Sequence, residues 1–117
     1  MVSLASYPKL DQHAIAAFSA PIVTGLLRQR LGYTGLVVSD DLGAAVAVRA
    51  VPLGERAVRF VQAGGDLALT VRPTDAQAMT GALLAAAQAS PAFTARVTDA
   101  ATHVLRSKSR AGLLTCR

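Results

Sequence analysis

Two adjacent acids, Asp40 and Asp41, close the apolar run Gly35-Leu36-Val37-Val38-Ser39. A carboxylate there can attack an electrophilic carbon or move a proton, and two together can hold a hard cation such as Mg²⁺. An Asp after a strand also commonly caps the helix that follows. From spacing alone capping stands ahead of catalysis, above all for Asp41. The other reactive side chains are scattered. Asp11 and His13 lie two apart in a loop and read as solvated residues before they read as an acid/base pair. His103 sits among Ala, Thr and Val on a helix, which suits a surface or partly buried residue better than a ligand. Arg72 follows a second apolar run and either reaches a pocket mouth or starts a helix facing water. Tyr7 and Pro8 shape a loop. Cys116 is the single cysteine, which excludes an intrachain disulfide or a multi-cysteine metal site and leaves a free tail thiol.

The elements that must position these groups alternate between short apolar runs and helical periodicity. Met1 to Leu4 is a brief apolar start, and residues 5–18 read as a loop. Ser19-Ala20-Pro21 is a helix-start signal, followed by Ile22, Val23, Leu26 and Leu27 at i,i+4 spacings and a left-handed stop at Gly32. The run from Gly35 to Ser39 is apolar on both faces, the pattern of a parallel strand buried on both sides. Leu42 to Ala50 is a loop or short helix. Pro52 to Ala63 is a helix with Leu53, Ala57, Phe60 and Val61 inward, and Leu67 to Val71 is a second buried strand. Helices follow from Pro73 to Ala89, with Met79, Leu83 and Ala86 inward, and from Ser90-Pro91 to a stop at Gly112. That last helix carries Phe93, Val97, Ala101, Val104 and Leu105 on one face. Alternating strands and helices with right-handed crossovers specify a parallel α/β sheet. No linker or low-complexity stretch divides the chain, so residues 1–117 form one unit.

The sequence has 117 residues, 52% of them hydrophobic, with three Phe, two Tyr and no Trp. Much of the apolar fraction is Ala, so the core must rely on close helix packing around Leu, Val and Ile. No apolar stretch approaches the roughly 18 residues that span a bilayer. The longest, Leu42 to Val48, is flanked by Asp40, Asp41 and Arg49. The start lacks a signal-peptide layout. The net charge is +5, and ten of the twelve basic residues are Arg. They are spread over several helices, and only Arg106, Lys108 and Arg110 cluster, in last turns where they complement a helix dipole. With no aromatic stacking platform, a solvated basic surface is expected and nucleic acid is not an expected partner.

The segment Leu26-Leu27-Arg28-Gln29-Arg30, four residues more, then Gly35-Leu36-Val37-Val38-Ser39-Asp40-Asp41-Leu42-Gly43 resembles the active-site signature of glycoside hydrolase family 3 at every constrained position. The single-domain β-N-acetylhexosaminidase-type members are the most similar. Met1-Val2-Ser3 with Tyr7-Pro8 and Leu10-Asp11 resembles the sixth barrel strand and its loop. Phe18-Ser19 with Pro21 resembles the sixth helix. Gly54-Glu55-Arg56-Ala57-Val58 through Ala63-Gly64-Gly65-Asp66-Leu67 resembles the seventh helix and eighth strand.

This resemblance implies the C-terminal portion of a (β/α)8 barrel: about three parallel strands alternating with helices, plus a C-terminal helix. It implies a retaining glycosidase acting on β-linked sugars, N-acetyl-β-glucosaminides among them, with no cofactor. In the family the acid after Ser or Thr in the signature is the nucleophile, which falls on Asp40. The chain departs from the family in two ways. The Lys-His and Asp-x-His elements of earlier loops are not in it, and Leu4 stands where many members have His. Half of the carboxylate pair is therefore expected here, in a fragment inactive alone, with the compartment left open. The other classes are a Mg²⁺-binding switch domain built on Asp40-Asp41 and a non-catalytic module. The latter would self-associate through the unpaired edges that a three-stranded sheet leaves.

Overall fold

The computed structural model describes residues 1–114, so the Cys116 thiol lies outside the described residues. Two parallel strands, β1 (Val38–Asp41) and β2 (Leu67–Leu69), form the sheet. Three helices follow the strands: α1 (Leu53–Gln62) between them, then α2 (Pro73–Ala89) and α3 (Pro91–Arg110). The expected first strand contracts to one parallel bridge. Val2 pairs with Ser39, with the Val2 amide donating to Val38 O at 2.8 Å and the Asp40 amide to Val2 O at 3.0 Å. The spatial order is thus the Val2 segment, β1, β2, all parallel.

Both full strands differ from their expected limits. Pairing in β1 begins at Val38 and continues through the two acids, because Leu42 N bonds Leu69 O and extends the contact beyond Ser39. Gly35 O is taken instead by Arg28 Nη1 at 2.6 Å. Strand β2 ends at Leu69, where the side chain of Asp41 captures the Val71 amide. Leu67 was expected in a buried run, yet it is 40% exposed because the outer edge of β2 has no neighbour among the described residues.

The segment Pro21–Arg30 is helical, as its start signal requires, but it winds wider than an α-helix, with i→i+5 closure such as Leu31 N to Leu26 O at 2.9 Å. Ser19 Oγ accepts the Ile22 amide at 3.2 Å, and Gly32 takes φ +66 at the far end. Gly112 stops α3 at φ +70, with Leu113 N returning to Lys108 O.

The core gathers Val23, Val37, Leu42, Val48, Ala57, Phe60 and Met79. Phe60 is fully buried, worth about 1.5–3 kcal/mol of transfer free energy. The Ala content serves close packing as expected: a methyl on Gly54 of α1 would sit 2.6 Å from Ala82 of α2. Helix α3 turns Phe93 and Val97 to the core as expected, but its second half departs from the expected face at Ala101 and Leu105. Ala100 is buried and Leu105 is 54% exposed, because Arg96 and His103 turn inward to polar partners and fix the helix about its axis.

Candidate active site

Asp40 stands where the ladder is irregular. Val38 pairs with Leu67 and Asp41 with Leu69, so three steps of β1 oppose two of β2. Such a bulge re-aims a side chain at a strand end. Ser39 makes it possible. Its buried Oγ accepts the Leu69 amide at 2.9 Å, where a backbone carbonyl would otherwise serve, and donates to Asp40 O at 2.7 Å. Among the described residues the Asp40 carboxylate accepts one hydrogen bond, from the Asp41 amide at 2.7 Å. It is half-buried, and its other lone pairs are uncommitted.

Asp41 is built differently. Oδ1 accepts from Gly43 N at 2.9 Å and Val71 N at 3.2 Å, and Oδ2 from Ala44 N at 3.1 Å. Its acidity reflects this. Burial works to raise the pKa, but the amides of Gly43, Val71 and Ala44, with Arg72, outweigh it and hold the carboxyl below its ordinary value. Asp41 closes a turn over Gly43 and Ala44 and ties it to Val71; it is not the expected helix cap, since the next helical turn, Val46–Val48, starts at Ala45 without a side-chain cap. A cation shared with Asp40 would have to compete with three amides for it, and the described residues contain no cluster of three potential metal-ligating acids, His or Cys.

The loop after the acids is braced by two arginines. Arg56 of α1 is buried, and its Nη1 donates to Leu42 O and Gly43 O, each at 2.8 Å, while Nε donates to Val51 O at 2.8 Å. Arg72 donates to Gly43 O at 2.8 Å and to Asp75 Oδ2 at 2.8 Å. Arg72 is thus the lock between this loop and the start of α2. Gly43 must lack a side chain, because a methyl would come within 2.6 Å of Asp75 Oδ2 and closer still to Thr70 Oγ1.

Asp11 and His13 form no catalytic pair. Asp11 accepts from Ser19 Oγ at 2.6 Å and from the backbone amide of His13 at 2.9 Å, which organises the loop. The Ser19 hydroxyl, helped by that amide, lowers the Asp11 pKa.

Sequence reasoning missed a buried hub at the opposite end of the sheet. The side chain of Asp66, 0% exposed, accepts from Arg28 and Val37 N (2.9 Å) on one oxygen. The other oxygen accepts from Arg96 Nη2 (2.7 Å) and faces His103 Nδ1 at 3.0 Å. Burial would raise the Asp66 pKa, but His103, the Val37 amide, Arg96 and Arg28 together outweigh it and depress it. The expected solvated basic surface holds for Arg30, Arg49, Arg106 and Arg110, and is corrected at three positions. Arg28, Arg56 and Arg96 point inward because buried carbonyls and Asp66 require donors. The one available signal was an acid opening a buried run, which demands partners.

A parallel α/β unit with an uncommitted acid on a bulged strand end defines a fold and site class shared by many enzymes. The comparisons with known proteins narrow it. The Glycosyl hydrolase family 3 N terminal domain matches residues 1–107, and the chain belongs to that family. It is 45% identical over 67 residues to a beta-hexosaminidase of Bordetella pertussis, covering 57% of this chain and 19% of the relative. The crystal structure of the beta-N-acetylhexosaminidase of Beutenbergia cavernae superposes with a TM-score of 0.89 at 45% identity, over 92% of this chain and 32% of that one. A family 3 beta-N-acetylglucosaminidase of a Paenibacillus species gives 0.85 at 32% identity, over 99% and 24%. The chain therefore spans a third or less of the relatives it matches.

Proposed function

We propose that the chain is the C-terminal portion of a (β/α)8 barrel in a retaining glycoside hydrolase, and that Asp40 is its nucleophile. The observation that carries this reading is the contrast at the strand end: Asp41 is engaged by three backbone amides, whereas Asp40 accepts a single bond and is held on the bulge of β1, just before a braced loop. An Asp40 oxygen attacks the anomeric carbon as the bond to the leaving oxygen breaks. A second group protonates that oxygen and then takes a proton from the water that hydrolyses the glycosyl ester. That second group comes from outside residues 1–117, so the isolated chain does not turn over. The names of its relatives favour β-linked N-acetylhexosaminides, with N-acetyl-β-glucosaminides first.

Completion of a barrel is supported by an apolar groove of about 370 Å³ beside the Val2 bridge, lined in part by Met1, Tyr7, Leu10, Ile22 and Leu31. Met1 and Leu31 are largely exposed there. Further strands and a helix would cover this groove, as would a second copy of the chain. The second arrangement is the runner-up, a self-associating module, and sedimentation of the isolated chain would reveal it as a concentration-dependent dimer.

The catalytic reading is tested in the longest reading frame that contains this chain. Nitrophenol release from N-acetyl-β-glucosaminide and β-glucoside substrates is measured for wild type and Asp40→Asn. Near-complete loss in the variant is expected, and unchanged activity would overturn the assignment.

A further inference from the structure

A cleft of about 360 Å³ opens at the end of the sheet opposite Asp40, between α3 and the Tyr33–Leu36 approach to β1. From α3 it takes His103, Arg106, Ser107 and Arg110, residues at i, i+3, i+4 and i+7 that form one continuous helical face. Its floor is Arg28, which is already engaged by Asp66, Tyr33 O and Gly35 O and lies 5.8 Å from the centre of the Tyr33 ring. Arg106 and Arg110 project from the rim and are exposed.

The charges in this cleft are unbalanced. The chain has only seven acidic side chains. Asp66 is buried and saturated, Asp99 is paired with Arg96, Glu55 with Arg59, and Asp75 with Arg72. Asp11 is held by Ser19 and the His13 amide, and Asp40 and Asp41 lie at the other end of β1. No acidic side chain is left for Arg106 or Arg110, and among the described residues neither has an ion-pair partner. Complementing the end of a helix explains Arg110. It does not explain why the two arginines, a hydroxyl and an imidazole all line one concavity.

We infer that this cleft is an oxyanion site for a phosphate group, with Arg106 and Arg110 as its charged arms and Ser107 as a neutral donor. Guanidinium forks suit a tetrahedral oxyanion because each can donate two parallel N–H bonds. The cleft has room for more than the ion alone, so the phosphate can be free or carried by a small phosphomonoester. The site is independent of the Asp40 chemistry, lying at the end of the strands where barrels do not place catalysis.

The test is calorimetric titration of the 117-residue chain at low ionic strength with inorganic phosphate, with glycerol phosphate, and with sodium chloride matched for ionic strength. Saturable 1:1 binding of either phosphate is expected, weakened about tenfold by each of Arg106→Ala and Arg110→Ala. Arg49→Ala, a change to an exposed arginine in the loop after β1, should leave it unaltered. Tighter binding of glycerol phosphate assigns the site to a phosphorylated ligand, and equal or tighter binding of the inorganic ion assigns it to free phosphate. No saturable binding, binding unaffected in Arg106→Ala/Arg110→Ala, or an equal response to chloride would overturn the proposal.

Discussion

Asp40 and Asp66 are the same side chain in opposite settings. Asp66 is sealed from solvent and faces four nitrogen partners drawn from the Pro21–Arg30 helix, the start of β1 and α3. Asp40 sits on the bulge of β1 and accepts one bond from its neighbour's amide. An acid whose lone pairs are all engaged stabilises a fold, and one with lone pairs to spare can attack a carbon. With Asp40 as the nucleophile we propose, the difference teaches that partner count, more than position at a strand end, separates a structural from a reactive carboxylate. Asp41, adjacent to Asp40 but saturated, makes the same point within two residues.

The comparison can be broken by exchanging the effects of the two acids. Asp40→Asn in the longest reading frame should lower kcat by about 10⁴-fold or more, as loss of a nucleophile does. Its unfolding free energy in urea should change little, within about 0.5 kcal/mol. Asp66→Asn should do the reverse. Removing one partner from a buried charge network costs about 3–5 kcal/mol, read by urea unfolding, while kcat of the remaining folded protein is retained.

Smaller effects sharpen the picture. Arg56→Met leaves the Leu42 and Val51 carbonyls without their donor and should cost about 3 kcal/mol by the same measurement. Gly43→Ala forces the loop away from Asp75 and Thr70, at about 2 kcal/mol. The pH dependence follows from the depressed Asp66 carboxyl. Its contribution is fully present above the unfolded value of about 3.9 and is lost as pH falls through the lower folded value. Acid unfolding followed below about pH 4 should therefore be shallower in Asp66→Asn than in wild type.

What the sequence made legible was local. Ser19 and Pro21 start a helix, Gly32 and Gly112 end helices with positive φ, and α2 keeps the limits that Pro73 and Ala89 suggest. An acid after a strand was readable as a partner for nearby backbone, but Asp41 closes a turn there and caps no helix. The hub was not, because Arg28, Arg96 and His103 are 38, 30 and 37 residues from Asp66, and no periodicity encodes such pairings. The bulge escaped for a related reason. Whether Ser39 Oγ or a backbone carbonyl takes the Leu69 amide is decided by the facing strand. The burial of Ala100 in place of Ala101 and the exposure of Leu105 follow from the hub and were missed with it.

The central claim is that Asp40 becomes covalently bonded to sugar. The longest reading frame that contains this chain can be incubated with an activated fluorinated N-acetyl-β-glucosaminide, which slows hydrolysis of the glycosyl-enzyme, and then digested for peptide mass mapping. One glycosyl adduct is expected, on Asp40, absent from Asp40→Asn. An adduct on another residue, or turnover that survives in Asp40→Asn, would contradict it.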